Sequence, residues 1–269
     1  MHDTAVQDAT ARTALRPETC LWCLALGFLT LILIATVLEI DVQVSQVFYH
    51  PATSPRWFLS EVLPWRWLYY GEYPIFCLAV AAAVVCVASL RYRPWERYRR
   101  PCALFVLAVA LGPGILVNVL VKPLWGRPRP KQTELFGSSR PYRHWWQPGQ
   151  IGGGKSLPSG HASMGYALLA GTCMLSARRS AWVRRGVLAA ALTYGSLLGF
   201  TRIVQGGHFA TDVLWSGCLM CALVALLQRL LPGAQQARSP NLVEGARQEG
   251  QKVGRVLPAR VLPWQRRTV

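Results

Sequence analysis

Residues 201–212 place charged and nucleophilic side chains between two long apolar runs. In this stretch, TRIVQGGHFATD, His208 and Asp212 are four residues apart, so they share one face if a helix begins near Phe209. A carboxylate that accepts a hydrogen bond from one ring nitrogen leaves the other nitrogen of the histidine free to attack. The spacing indicates a candidate nucleophile and its carboxylate partner. A helix-capping histidine beside a membrane-anchored Arg202 explains the same residues without chemistry.

A second set of chemically competent residues lies in the polar segment 122–160. This segment carries one acidic residue, Glu134, against these basic residues: Lys122, Arg127, Arg129, Lys131, Arg140, Arg143 and Lys155. Lysine and arginine neutralise and orient phosphoryl oxygens, and arginine does so with two donors at once. The segment ends in Pro158-Ser159-Gly160-His161, where a helix N-terminus adds backbone donors and the histidine is a candidate proton donor. These residue types suit a ligand that contains phosphate.

The elements that must position these residues are membrane helices. Of the 269 residues, 52% are hydrophobic and 15% are charged, which is too apolar for an ordinary soluble domain. Apolar runs predict six spans, at about 20–40, 73–90, 101–121, 161–177, 186–200 and 209–231. We therefore predict an all-α fold, a polytopic membrane helix bundle with about six transmembrane helices.

The predicted transmembrane domain covers residues 20–231. A polar segment, 1–19, precedes it on the cytoplasmic side, and a basic, proline-rich and glutamine-rich tail, 232–269, follows it and is predicted to be disordered. The first apolar run is long enough to span a membrane, so we expect no cleavable signal peptide. Segment 41–71 is rich in aromatic residues and predicts a segment lying in the membrane interface, with an aromatic substrate groove as the alternative.

The net charge of +17 is distributed in a way that favours the lipid bilayer, not nucleic acid, as the partner. Basic residues cluster in short loops and in the tail instead of along a solvated helix face. The arginine-rich loops 91–100 and 178–185 are expected in the cytoplasm by the positive-inside rule. Segment 122–160 then faces the opposite side, where its positive charge breaks that rule and indicates anion binding.

Most of the eight cysteines fall in apolar runs and are expected to be inert.

Three motifs together resemble the signature of the type 2 phosphatidic acid phosphatase superfamily in order and spacing: Lys122-x6-Arg129-Pro130, Pro158-Ser159-Gly160-His161 and Arg202-x5-His208-x3-Asp212. Thr201 stands where that family more often has serine, which keeps a hydroxyl. The resemblance implies that His208 attacks phosphorus to form a phosphohistidine, that Asp212 orients it, and that His161 protonates the leaving oxygen and then activates water. It implies no metal and no other cofactor. It also implies that the phosphoryl oxygens are bound by Lys122, Arg129, Ser159, Gly160 and Arg202.

The short sequences around the motifs look similar to the lipid A phosphatase branch of that family, especially to 4′-phosphatases of the Gram-negative inner membrane. They are Gly112-Pro113-Gly114, Trp125-Gly126-Arg127-Pro128-Arg129-Pro130, Ala162-Ser163-Met164-Gly165 and Gln205-Gly206-Gly207-His208-Phe209. The resemblance implies a membrane lipid phosphate as substrate and a multi-pass protein of the bacterial inner membrane with its site facing the periplasm. Basic residues outside the motifs are candidate contacts for a lipid head group: Arg127, Arg140, Arg143 and Lys155.

Other functions fit the same residues. Relatives with this core act on undecaprenyl pyrophosphate or phosphatidylglycerophosphate, and a lipid phosphotransferase would pass the phosphoryl group to a sugar lipid instead of water. A non-enzymatic membrane protein that only binds anionic lipid would need the lysines and arginines but would have no use for His161 and His208. Vanadium-dependent haloperoxidases share the motifs but are soluble and much less apolar.

Overall fold

The computed structural model describes residues 17–174 and 180–231. The expectations for most of the N-terminal segment and for the tail 232–269 lie outside the described residues. Within them the chain is helical, and the only β structure is an isolated bridge between Thr133 and Arg140. The all-α prediction is confirmed.

The α-helices, numbered in chain order, are α1 (Pro17–Val37), α2 (Ile40–Val47), α3 (Trp65–Leu68), α4 (Glu72–Ala88), α5 (Glu96–Val109), α6 (Lys122–Trp125), α7 (Gly160–Tyr166), α8 (Ala181–Val204) and α9 (Ala210–Leu230). A π-helix, Ala110–Val121, joins α5 to α6. Short 3-10 helices occupy Tyr69–Gly71, Arg93–Trp95, Pro130–Gln132, Glu134–Phe136 and Ala167–Met174.

Five helical stretches of the described chain are long and apolar enough to cross a membrane: Glu18–Val37, Trp65–Ala88, Arg93–Gln132, Ala181–Val204 and Ala210–Leu230. The remaining predicted span, 161–177, begins as α7 and continues through Ala167–Met174, but its end lies outside the described residues. Large apolar side chains stand on the outer surface, such as Leu33 on α1 and Val84 on α4, 54% and 62% exposed. Surfaces of this kind face lipid in a multi-pass membrane protein.

The third span extends beyond both predicted bounds, 101 and 121, and it contains Pro113. Proline lacks an N–H and its ring clashes with the carbonyl four residues earlier, which normally breaks an α-helix. Here the turns widen into the π-helix Ala110–Val121, and the chain stays helical as far as Trp125. Lys122, which the sequence placed in a polar loop, is therefore held on a helix.

The fifth span is longer than the predicted 186–200 at both ends. It begins at Ala181, where the Ser180 hydroxyl accepts a hydrogen bond from the Val183 N–H at 3.4 Å and caps the helix. It ends at Val204, so Arg202 belongs to its last turn.

The helices place all three motifs at one end of the bundle. Lys122 follows the π-helix, Gly160 begins α7, Arg202 ends α8 and Asp212 lies in the first turn of α9. Because α8 and α9 are joined by a short turn and run in opposite directions, the end of one meets the start of the other. α9 packs along α1, and α7 packs against α8, which fixes the relative positions of these ends.

The polar segment between α6 and α7 folds over this end of the bundle. The Trp145 indole N–H donates to the Thr36 hydroxyl of α1 at 2.7 Å, and the Trp125 indole N–H donates to the Trp145 carbonyl at 2.7 Å. Phe136 of the same segment packs with Trp57 and Phe209 in a small buried cluster. The aromatic segment 41–71 thus contributes to the protein interior at Trp57, besides exposing rings such as Trp67.

Candidate active site

His208 lies in the turn between α8 and α9 and is almost completely buried. Its Nδ1 is 2.6 Å from the backbone carbonyl oxygen of Ser156. A carbonyl oxygen only accepts hydrogen bonds, so Nδ1 carries the proton and Nε2 carries the lone pair. This arrangement leaves Nε2 as the nitrogen that can attack.

Asp212 supports this histidine indirectly. Its Oδ2 is 3.7 Å from His208 Nδ1, which is too long for a hydrogen bond. The same oxygen accepts from the Ser156 hydroxyl at 2.5 Å and from the Phe209 backbone N–H at 2.8 Å, so it caps the start of α9. The direct bond expected from the i, i+4 spacing is replaced by a relay in which Asp212 holds Ser156 and the Ser156 carbonyl holds the ring.

Burial sets the protonation state of His208. It lowers the pKa of His208 from 6.5 to about 4, while the nearby Asp212 carboxylate acts in the opposite direction. The imidazole is therefore neutral at neutral pH, the form with a free lone pair. Once Nε2 has formed a bond to phosphorus, the ring becomes positive and the Asp212 charge stabilises it.

Arg127 forms a completely buried ion-pair network beneath this turn. Its Nη1 lies 2.6 Å from Asp212 Oδ1 and its Nη2 lies 2.7 Å from Asp41 Oδ2. Asp41, at the start of α2, also accepts from the backbone N–H and the hydroxyl of Thr211, at 2.8 and 2.6 Å. The network ties α2 to the first turn of α9 and so fixes the helix that follows His208. Arg127 thus has no exposed surface with which to contact a lipid head group, in contrast to the expectation from sequence.

The motif cations converge on one cavity of about 570 Å³, which is also lined by His161 and His208. Lys122 Nζ donates to Asn118 Oδ1 at 2.8 Å, which holds the ammonium at the cavity wall. A Cβ at Gly160 would lie 2.9 Å from Lys122 Nζ, so only glycine lets this lysine approach the start of α7.

Three buried side-chain nitrogens at this cavity have no hydrogen-bond partner among the described residues: Arg129 Nε, Arg202 Nε and His161 Nε2. Buried polar groups are partnered in the large majority of cases. Nitrogen donors from three separate motifs that meet at one cavity suit a ligand with several acceptor oxygens. Arg202 Nη1 is fixed by Gln205 Oε1 at 2.5 Å, which keeps the guanidinium in place.

Two residues outside the motifs complete this part of the site. Glu72 Oε1, at the start of α4, lies 3.5 Å from His161 Nε2. The Tyr69 ring lies 5.0 Å from the His161 ring, and the Arg202 guanidinium carbon lies 4.8 Å from the Tyr69 ring centre. Tyr69 belongs to the aromatic segment 41–71, for which an aromatic substrate groove was the alternative prediction. Glu72 was not singled out from the sequence, because it lies far from the motifs along the chain.

Ser159 is placed beside the cavity and not within its lining. It is the N-cap of α7, where its hydroxyl accepts from Ala162 N–H at 3.4 Å, and its own N–H donates to the Asp212 carbonyl at 3.2 Å. Gly160 and His161 do line the cavity. The Ser159 N–H is therefore not available to a ligand, because it donates to α9.

The other candidate head-group residues also stand apart from this cavity. Arg140, Arg143 and Lys155 are absent from its lining. Arg140 and Lys155 are exposed on the polar segment, and the Arg143 carbonyl accepts from Arg127 Nε at 2.9 Å.

The remainder of the cavity is apolar. Side chains from α4, α5 and the π-helix form it: Phe76, Ala79, Val80, Ala83, Val106, Val109, Ala110 and Pro113. Phe76 and Val80 are also 55% and 49% exposed on the outer surface of the bundle. The cavity therefore has a cationic end at the motifs and an apolar part that opens towards the lipid-facing side of α4.

Comparison with known proteins agrees with this geometry. Residues 101–235, about half of the chain, match the model of the PAP2 superfamily. The chain belongs to the PAP2 superfamily. Its three motifs all lie inside the matched region, whereas Asp41, Tyr69 and Glu72 precede it.

Relatives of this PAP2 protein include lipid A 4′-phosphatases. The protein of that name from Francisella tularensis subsp. novicida (strain U112) is 35% identical over 153 residues, which are 54% of this chain and 64% of the relative. The one from Rhizobium leguminosarum is 34% identical over 124 residues, 44% of this chain and 51% of the relative. The chain thus spans about half to two thirds of the length of these relatives. No solved structure matches the chain.

Proposed function

We propose that this protein hydrolyses a phosphate monoester of a membrane lipid through a phosphohistidine intermediate. The observation that carries the proposal is the cavity with two chemically different parts. Its cationic end holds His161, His208 and the three motif cations, and its apolar part opens between α4 and α5 towards lipid. A phosphorylated lipid has the same division between an anionic head and apolar chains.

In the first half of the reaction, His208 Nε2 forms a bond to phosphorus as the bond from phosphorus to the lipid oxygen breaks. His161 gives a proton to that oxygen, and Glu72 Oε1 lies 3.5 Å from its Nε2. Lys122, Arg129 and Arg202 hold the other phosphoryl oxygens as their charge redistributes.

In the second half, water attacks phosphorus and the bond from phosphorus to Nε2 breaks. Neutral His161 takes the proton from this water, so inorganic phosphate leaves and both histidines return to their starting states. The proton stays on Nδ1 throughout and is donated in a hydrogen bond to the Ser156 carbonyl oxygen, which keeps Nε2 as the reacting nitrogen. The cations supply the positive charge at phosphorus, and no step requires a metal ion.

The substrate that we propose is a phosphate of lipid A. Two observations support this choice: the relatives named lipid A 4′-phosphatase, and a cavity open to the bilayer beside an extended polar segment. The location that follows is the bacterial inner membrane, where lipid A precursors pass through the bilayer.

We propose that the site faces the periplasm. Arg202 lies at the end of α8, whereas Arg184 and Arg185 lie near its start. A helix of 24 residues is about 36 Å long, enough to separate the two by a membrane. Positive-inside topology puts the arginine-rich loops in the cytoplasm and the motifs on the opposite side.

The test is phosphate release from purified protein in detergent, with lipid A and with dioctanoyl phosphatidic acid. We expect phosphate release that EDTA leaves unchanged and that vanadate inhibits. His208→Ala should lower turnover by more than about 10³-fold while the protein elutes as a monodisperse species like the wild type. Substantial turnover by this variant, or a requirement for added divalent ions, would contradict the mechanism.

A further inference from the structure

A second cavity adjoins the phosphate end of the active site. It has a volume of about 430 Å³ and shares two wall residues, Tyr69 and Arg202, with the first. The rest of its lining comes mainly from the aromatic segment: Pro55, Arg56, Trp57, Ser60, Glu61, Arg66, Tyr70, Lys131 and Gln205. None of the three motifs contributes to it except through Arg202.

The charge of this cavity is strongly positive. Its lining carries four cations, Arg56, Arg66, Lys131 and Arg202, against the single carboxylate of Glu61. Three of these cations are exposed, and Arg66 and the side chain of Lys131 have no ion pair within 4 Å in the described chain. An uncompensated excess of cations around a concave surface attracts an anion.

The wall of this cavity is fixed to the nucleophile's turn. Trp57 is buried and packs with Phe209, the residue that precedes α9. Its ring also lies directly on the backbone of Gly206, whose φ of 61° and lack of a Cβ allow this contact. A ligand in the second cavity is therefore held at a defined position relative to His208.

Aromatic rings accompany the cations. Tyr69 and Tyr70 are exposed and stand edge to face, with ring centres 5.3 Å apart, on the side of the cavity nearest the active site. Rings of this kind pack against the apolar faces of sugar units while their hydroxyl groups stay in water. The lining suits a head group with sugar units and a second negative charge.

We propose that this second cavity binds a second anionic group, a phosphate or a carboxylate, carried by the same lipid whose phosphate reacts at His208. This inference rests on the proposed function and names the class of substrate: a lipid with two separate anionic groups on a sugar head. Arg202 is the shared wall, so the reacting phosphate lies on one side of it and the second anionic group on the other. The residues that select the substrate are Arg66 and Lys131.

The experiment measures kinetics on two lipids with the same acylated disaccharide, one with a single phosphate and one with a phosphate at each end. For the wild type, the KM of the two-phosphate lipid should be about tenfold lower, the value of one hydrogen bond to a charged group. Arg66→Ala and Lys131→Ala should each raise that KM towards the single-phosphate value. The kcat and the KM of the single-phosphate lipid should stay unchanged, and Arg66→Lys should restore part of the difference.

The matched control is Arg140→Ala, which removes an exposed cation from the segment that carries Lys131 but lies outside this cavity. It should leave both KM values unchanged. If Arg66→Ala and Arg140→Ala raise KM equally for both lipids, the effect is general attraction to positive charge and the inference is wrong. Equal KM values of the two lipids for the wild type would also overturn it.

A further measurement separates this inference from the proposed function. Native mass spectrometry compares retention of the two lipids by the wild type and by Arg66→Ala. Hydrolysis without preferential, Arg66-dependent retention of the two-phosphate lipid refutes the second site but not the phosphatase. Arg66-dependent retention without hydrolysis of any phosphate lipid refutes the phosphatase but not the second site.

Discussion

Arg127 and Arg129 stand two positions apart in the chain, and their surroundings are opposite. Arg127 has no exposed surface and donates to two carboxylates. Arg129 lines the cavity, and its Nε has no partner among the described residues. The comparison separates a paired layer, formed by Asp41, Arg127, Ser156 and Asp212, from an open layer, formed by Lys122, Arg129, His161 and Arg202. The first holds His208, the proposed nucleophile, and the second lines the cavity proposed for the substrate.

The backbone explains why neighbours point in different directions. Prolines at positions 128 and 130 favour an extended polyproline conformation for the residues before them, and Arg129 has φ −76° and ψ 155°. That conformation has about three residues per turn, so side chains two positions apart diverge by about 120°. One arginine then enters the protein while the next enters the cavity.

The largest effect that tests the comparison is expected from Arg127→Met. The substitution leaves Asp41 and Asp212 buried without their shared counter-charge, which costs about 3–5 kcal/mol of folding free energy. We expect a much lower thermal midpoint in detergent, measured by size-exclusion chromatography after heating. The double variant with Asp41→Asn should recover part of the loss, because it removes one uncompensated charge. An unchanged thermal midpoint with only a raised KM would mean that Arg127 acts on the substrate, like the residues of the open layer.

Arg129→Ala should instead lower kcat and leave folding nearly intact. Loss of one donor to the phosphoryl oxygens in the transition state costs on the order of 3–4 kcal/mol, or roughly 10²–10³-fold in rate. Arg129→Lys should recover part of the rate, because it keeps the charge but loses the two-pronged geometry. Steady-state kinetics and the same heating assay measure both quantities. A lowered midpoint equal to that of Arg127→Met would show that the two layers are one structural unit.

A smaller effect, on the pH profile, concerns His208. Its Nδ1 is held by the Ser156 carbonyl of the paired layer, and the residue lines the same cavity as the open layer. Protonation of the ring removes the lone pair, and burial lowers the pKa of His208 to about 4. The acid limb of kcat/KM should therefore lie near pH 4 and not near 6.5, since the ring stays neutral as the pH falls through the ordinary range. The profile is measured on dioctanoyl phosphatidic acid, with monodispersity checked at each pH. An acid limb near 6.5 would mean that the ring is hydrated and not held by the paired layer.

Much of the fold follows from the sequence because apolar length is a strong signal for membrane helices. The predicted ends of the helices were less accurate where a charged side chain interrupts the apolar run but stays on the helix. Lys122 suggests the end of the third span, yet the π-helix Ala110–Val121 continues into α6 and carries this lysine on helical backbone. Arg202 suggests the end of a span, yet the last turn of α8 includes it, since its guanidinium finds Gln205 and the Tyr69 ring.

The structure brings most of the motif residues to one cavity, as their residue types and spacing suggest, but the residues that support them were not predicted. Asp41 is a lone carboxylate after the first span, and only the fold brings it within 2.7 Å of Arg127. The Ser156 carbonyl that orients His208 is a backbone group, so no residue type in the sequence indicates its role. Arg127 shows the same limit, because charge alone does not tell whether an arginine faces a ligand or another residue of the protein.

Most of the residues that line the second cavity, such as Trp57, Arg66 and Tyr70, precede the PAP2 match at position 101. The residues proposed for head-group recognition are therefore encoded mainly in an earlier stretch of the gene than the motifs, with Lys131 and Arg202 as the exceptions. Under natural selection, the earlier stretch is free to acquire new lipid preferences by single substitutions while every intermediate form keeps a working nucleophile.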